Sequence, residues 1–389
     1  MKKILILLIT LTLLIRPSLG WAMAKVPKGP KKYIKVAVVE NKTSVNLKLK
    51  GKYEIYRLNT LDLVREGSNL EASVKAIEYG VSFNEERIGS YGVRVITQQD
   101  ASIIIDERKF RGIMDIIRQP DKSLLLVNHI DIEEYLCGVL YHEVSHRWPI
   151  EALKAQAIAS RTFALYQHEI NKDKDYDLTN TTYSQVYGGA TSEKYRTNKA
   201  VIETYGEVMT YNNKLFPAYF HACCGDHTED ADKLWNINLP TLKGRACAYC
   251  RHSPHFDWSR KVSIWLIRKK LMEKGYKCGK IVSFEPAAYD ESGRVTDIII
   301  KTTQGDIKIN SNQFRIMVSP TLIKSTKFMV RLEDEFLYFE GQGWGHGVGL
   351  CQWGACGMAL EGFKAEEIIQ FYYPHSKIIN IWQNESKTK

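Results

Sequence analysis

Residues 130–167 read IDIEEYLCGVLYHEVSHRWPIEALKAQAIASRTFALYQ, and the chain changes character here. Asp131 is an N-cap acceptor, and Glu134 follows three residues on, a capping-box-like start. A helix is predicted from there towards Val139 or Tyr141. Pro149 suits the first position of a second helix, because its fixed φ is already helical. IEALKAQAIASRTFALYQHE then continues without a breaker, and its five alanines between 152 and 164 let it pack close to a neighbour.

Upstream of this switch the pattern is β. IKVAVVE, VRVITQQ, ASIIID, GIMDIIR and SLLLVNH are short runs rich in β-branched residues, set apart by turn formers. Downstream, residues 177–260 mix loops with short elements. Further strands follow, VTDIIIKT among them, then a glycine-rich strand. A short helix near 352–361 is stopped by Gly362, and a last helix precedes Pro374. The fold class is therefore α+β: one large mixed domain over 34–380. A β-rich N-terminal lobe (34–128) leads into a second portion (129–380), with the alanine-rich helix beside the active cleft.

The ends read differently. Lys2 and Lys3 precede an apolar run of twelve, Ile4 to Ile15, which is too short to span a bilayer. Ala22-Met23-Ala24 fits a cleavage site, so residues 1–24 are expected to be a signal peptide and 25–33 a short linker. Residues 381–389 form a polar tail. The whole chain carries a net charge of +10, and losing Lys2, Lys3 and Arg16 leaves +7. An exported basic protein suits an anionic partner such as cell-wall polymer or a membrane surface. Nucleic acid is not an expected partner in that compartment, and no concentrated basic stretch calls for one.

His142-Glu143-Val144-Ser145-His146 spells HExxH, the signature of a zinc protease. That chemistry needs one helix to run through both histidines. Pro149 pushes Trp148 out of the α region, so the helix must stop at or near His146. No third-ligand extension follows. The protease is the remote reading, and Glu143 is left to do other work. Beside Val144, Trp148 and Ile150, its carboxyl is placed to be raised by desolvation.

Three separated blocks carry a resemblance. They are 130–167 with TTYSQVYGG at 181–189, YFHACCGDHTEDADKLW at 219–235, and FEGQGWGHGVGLCQWGACGMALEGFKAEEIIQFYYP at 339–374. Together, and in this order, they resemble the SpoIID/LytB family, which includes lytic transglycosylases and proteins described as amidase enhancers. The resemblance implies cleavage of the MurNAc–GlcNAc bond in peptide-stripped peptidoglycan, with 1,6-anhydroMurNAc ends. Glu143 matches the family's acid/base position. A non-enzymatic activator of a cell-wall N-acetylmuramoyl-L-alanine amidase is the alternative.

The chemistry agrees with that role. A lytic transglycosylase needs one carboxyl, which protonates the leaving oxygen and then takes a proton from the muramic acid 6-hydroxyl. Arg161, inside a helix of small residues, is expected to bind the lactyl carboxylate as a fork, with Lys154 one turn earlier assisting. Gly341 to Gly349 alternates strictly, so an extended strand would put Gln342, Trp344 and His346 on one face for sugar. Gln185 and Tyr187 of SQVYGG are further candidates.

Some family members are reported to bind zinc near the cleft. His221, Cys223, Cys224, His227, Cys247 and Cys250 offer ligands within thirty residues, and Cys247 and Cys250 form a CxxC. The expected set for one structural zinc is His221, Cys224, Cys247 and Cys250. The family's usual residues at 223 and 224 are small hydroxyl types, so this chain departs from the pattern. A Cys247–Cys250 disulfide is the competing reading in an oxidising compartment, and Cys351 and Cys356 could pair, with Cys137 as another partner.

Overall fold

Strand β2 (Ser44–Arg57) shows how the N-terminal lobe is built. Val45, Leu47 and Leu49 point into the core while Asn46 and Lys48 point away from it, the period of two that a half-buried strand requires. The computed structural model describes residues 26, 29–98, 100–181 and 184–384. The expected signal peptide, part of the expected linker and residues 385–389 of the expected tail lie outside the described residues.

The other strands of the lobe are β1 (Tyr33–Lys42), β3 (Leu63–Ile77), β4 (Gly80–Phe83), β5 (Glu86–Ile88), β6 (Gly92–Thr97), β7 (Ser102–Ile105), β8 (Arg108–Phe110), β9 (Ile113–Arg118) and β10 (Leu124–Asp131). With a short strand at Leu178–Thr179 they make one sheet. Its main order is Leu178–Thr179, β1, β10, β9, β6, β2, β3, β4, β5, and β7 joins β2 to β8. The pairings within β1–β10 are antiparallel, and Leu178–Thr179 runs parallel to β1.

The chain leaves β10 directly into α1 (Ile132–Glu143). Asp131 caps it, its side chain accepting from the Glu133 N–H at 3.1 Å. Val144 is extended (φ −138°) and ends the helix. Helix α2 (Ile150–Asn171) follows, with Pro149 as its N-cap, so the helix starts one residue later than predicted. Its five alanines are all buried, for a reason the sequence hides. Leu153, Ala157, Ala164 and Leu165 face the core of the β lobe, whereas Ala155, Ile158 and Ala159 face a second core. Small side chains on both faces let one helix sit between two packed layers. The architecture is α+β.

The second core joins α2 to residues 216–250 and 348–373. A short parallel pairing sets Phe220–His221 beside Leu350–Cys351, which brings the histidine–cysteine block against the glycine-rich block. Between those blocks, residues 257–342 close a core of their own, including Trp258, Ile267, Leu271, Ile298, Phe314 and Phe339. Two three-stranded antiparallel sheets and helices Ile264–Glu273 and Ser311–Val318 surround it. This subdivision is absent from the sequence reading. Arg294 ties the unit down: fully buried, it donates to the carbonyls of His227 (2.9 Å) and Cys224 (2.7 Å). Lys327 donates to the Gly225 carbonyl at 2.8 Å.

The predicted extended glycine strand does not form. The strand Phe336–Gln342 ends where the alternation begins, and Gly343, Gly345, Gly347 and Gly349 take φ of +80°, +112°, +91° and +72°. Alternate left-handed residues fold the segment tightly onto its neighbours. A Cβ on Gly349 would lie 2.0 Å from the Tyr219 carbonyl oxygen. The glycines are needed for φ and for close approach, not for one flat face.

Candidate active site

Glu143 is the last residue of α1, where the helix must stop before Pro149. It is half-buried, and Oε1 accepts from the Val186 N–H at 3.1 Å. The buried Gln352 side chain also acts on this carboxyl, favouring its charged form. Burial outweighs both, and the carboxyl is pushed up to about 7. Among the described residues, no second carboxylate is among the groups that shift it.

Two half-buried tryptophans flank this position. Trp148 lies on the loop after Glu143 and Trp353 follows Gln352, and their rings meet edge to face at 4.9 Å. Such faces offer stacking to a sugar ring. The exposed Arg196 holds the loop between, donating to the carbonyls of His146 (2.9 Å) and Trp148 (2.8 Å). Arg147 and Lys194 are also exposed here, Lys194 over the Tyr141 ring. The arrangement supplies one proton donor of near-neutral pKa, aromatic walls and a basic rim. That is a general acid's equipment.

The HExxH reading fails on geometry. α1 ends at Glu143, so His146 is not one helical turn beyond His142. The His142 Nε2 is 2.6 Å from Ser192 Oγ instead, and the His146 ring lies 5.8 Å from that of Tyr141.

Several expected glycan contacts are corrected. Arg161 is fully buried and bonded to Glu133, at 2.8 Å from Nε and 2.6 Å from Nη2. It also donates to the carbonyls of Glu207 and Val201, so four of its five N–H donors are taken inside the core and the fork is shut away from any ligand. Lys154 is taken by Glu151 (3.1 Å) and Glu203 (2.8 Å). Gln185 is buried, accepting from Tyr135 and donating to the Ser160 carbonyl. Tyr187 is buried, its hydroxyl donating to Asn128. These two position the Val186 N–H between them.

Gln342, Trp344 and His346 share no face, because the glycines turn the chain at each step. Gln342 donates to Asp257 at 3.1 Å and borders a groove of about 940 Å³ with Trp258, Tyr289, Lys324 and Lys327. That groove does not include Glu143. The Trp344 ring stands edge-on to His255 at 4.4 Å. His346 packs among Trp235, His221 and Tyr219.

The eight cysteines are unbridged and buried. The sulfurs of Cys224, Cys247, Cys250 and Cys351 lie within 4.8 Å of one another. His221 is not part of this group. Its Nδ1 is 3.1 Å from the Val348 carbonyl, and its Nε2 is buried without a partner among the described residues. Cys351 takes the place expected for His221. Gln352, the Val186 N–H and Arg196 were not foreseen as site groups. Gln352 stands next to Cys351 in the glycine-rich block, but no periodicity marks it.

Comparison with known proteins matches the first of the three blocks to a family. Residues 120–211 match the family described as Stage II sporulation protein, and residues 242–349 match a domain of unknown function (DUF8618). An uncharacterized protein of Brachyspira hyodysenteriae is 32% identical over 349 residues, covering 89% of this chain and 93% of that protein. The stage II sporulation protein D of Bacillus subtilis is 27% identical over 270 residues, or 65% of this chain and 75% of its own length. The amidase enhancer of Bacillus subtilis is 26% identical over 289 residues, 61% of this chain but only 39% of that protein. The first match spans Glu143 and its surroundings, and the chain belongs to the stage II sporulation protein D (SpoIID) family.

Proposed function

We propose that this protein acts on the cell wall as a lytic transglycosylase, cleaving the MurNAc–GlcNAc bond of peptide-stripped glycan strands outside the cytoplasm. The observation that carries the reading is Glu143: a half-buried carboxyl raised to about 7, held by the Val186 N–H and Gln352. At neutral pH such a group is still partly protonated, as a general acid must be.

In the proposed reaction Glu143 gives its proton to the glycosidic oxygen as the C1–O bond breaks. The resulting carboxylate then takes the proton of the muramic acid 6-hydroxyl, whose oxygen bonds to C1. One carboxyl serves both steps, so no partner carboxylate is required to activate water. Trp148 and Trp353 are placed to stack on sugar. With Arg161 buried, the lactyl carboxylates are assigned to the exposed Arg147, Lys194 and Arg196.

A second reading has its own support in the relative named amidase enhancer. Here the same surface would bind glycan without cutting it, and the partner would be an N-acetylmuramoyl-L-alanine amidase.

One experiment separates the two. Purified residues 25–389 are incubated with peptide-stripped strands, and the products are read by mass spectrometry beside Glu143→Gln. New 1,6-anhydroMurNAc ends, lost in the variant, are expected. Reducing MurNAc ends would mean hydrolysis. Intact strands together with a stimulated amidase would select the activator.

A further inference from the structure

We propose that Cys224, Cys247, Cys250 and Cys351 hold one zinc ion, and that this metal positions Gln352 against Glu143. Four sulfurs mutually within 4.8 Å suit one central cation. A tetrahedron with Zn–S of about 2.3 Å sets its sulfurs roughly 3.8 Å apart. Cys224 Sγ and Cys250 Sγ stand 3.4 Å apart. All four residues are at most 1% exposed.

Polar groups stand against two of the sulfurs. Cys351 Sγ receives the backbone N–H of Cys224 at 3.2 Å and of Gly354 at 3.3 Å. The Tyr372 hydroxyl is 3.2 Å from Cys247 Sγ. Donors aimed at sulfur stabilise its negative charge, the second shell that a thiolate site requires. Four buried thiols without a cation would leave these donors facing neutral sulfur. A disulfide would use two of the four and leave two.

Four thiolates close the coordination sphere, so the site has no open position for substrate or water. Its effect is to tie together segments distant in sequence. Cys224 follows the strand Phe220–His221, Cys247 caps the 3-10 helix Ala248–Cys250 that ends in Cys250, and Cys351 is the N-cap of helix Gln352–Leu360. Gln352 is therefore one residue from a proposed ligand, and its neighbour Trp353 meets Trp148, on the loop that follows Glu143, at 4.9 Å. This last link rests on the reading of Glu143 as the acid. The metal site does not, and separate measurements test them.

Protein purified without chelator should carry about one zinc per chain by elemental analysis and native mass spectrometry. Replacement by cobalt should give the absorption of a tetrahedral thiolate centre. Cys247→Ser and Cys351→Ser should lose that signature, whereas His221→Ala should keep it. If the cysteine variants fail to fold, chelator titration of the wild type, followed by the cobalt bands and by melting, reads the same site. Metal-free native protein, a disulfide within the four, or metal lost in His221→Ala would overturn the assignment. For the positioning role, zinc removal should lower kcat about a hundredfold with KM for glycan little changed. Unchanged kcat after metal loss would overturn that role and leave the site standing.

Discussion

Arg161 and Glu133 form a fully buried ion pair, one on α2 and the other in the first turn of α1, with contacts of 2.8 and 2.6 Å. Glu133 Oε1 also accepts the Gly206 N–H at 3.0 Å. The pair locks α1 to α2 just where the chain leaves the sheet. It fixes the frame that carries Glu143 at the far end of α1, and it touches no solvent. Arg161→Ala would strand the Glu133 charge, at a cost of about 3–5 kcal/mol. Chemical denaturation should show that loss, and the folded fraction should bind glycan with unchanged affinity. Weakened binding with intact stability would restore Arg161 as a ligand group.

The difference between expectation and structure at Arg161 is one of partner, not of residue type. A cation inside an alanine-rich helix announces either a site or a buried partner. Glu133 sits 28 positions earlier, beyond any local pattern. The switch from strand to helix at Asp131 was legible, because N-cap chemistry and proline act locally. The two longest strands, β2 and β3, were not singled out, because β2 mixes its apolar residues with lysines and β3 is largely exposed. The CxxC was legible as half of the sulfur cluster. The rest of the cluster depended on which distant segments paired, and the pairing of Phe220–His221 with Leu350–Cys351 brought a cysteine beside Cys224 in place of the histidine.

The raised pKa of Glu143 has a stability signature. Below its ordinary value of 4.5 the carboxyl is protonated both folded and unfolded, and nothing is lost. As pH rises towards about 7 the unfolded chain gives up the proton first, so the folded state is progressively penalised. Glu143→Gln should therefore raise stability by roughly 3 kcal/mol above neutral pH and leave it unchanged near pH 4. Melting curves across that range check it. Cleavage should fall about a hundred- to ten-thousand-fold in the same variant. A stability gain independent of pH would contradict the assigned cause.

His142→Ala combined with His146→Ala tests the accidental motif. His142 loses its contact with Ser192 and His146 its packing on Tyr141, for a combined cost of about 1–2 kcal/mol. Glycan cleavage should remain within a few-fold of wild type, and zinc content should not change. Loss of a metal ion in the double variant would revive the protease reading.

The glycine segment should tolerate no side chain at its tightest point. Gly349→Ala must hold φ near +72° and fit a methyl 2.0 Å from the Tyr219 carbonyl oxygen. Backbone must shift, at a cost of more than about 3 kcal/mol. Because Leu350 and Cys351 follow at once, melting temperature and zinc retention should fall together. A stable variant with full zinc would show that this turn is not what brings Cys351 to the other cysteines.

Gln352 offers the sharpest test of how Glu143 is tuned. Its side chain favours the charged carboxylate and so pulls the pKa down, against the larger upward push of burial. Gln352→Leu keeps the size and removes the donor. With that restraint gone the carboxyl should stay protonated to higher pH, and the alkaline limb of the pH–rate profile should move upward. At the same time kcat should drop, because the carboxyl loses one of the two groups that aim it. Gln352 also donates weakly to Gln156 at 3.4 Å, so the fold should lose no more than about 1–2 kcal/mol. Gln352→Asn should recover part of the rate if its shorter amide reaches the carboxyl. A limb that moves down, or a profile that does not move while kcat falls, would mean that Gln352 acts on substrate and not through Glu143.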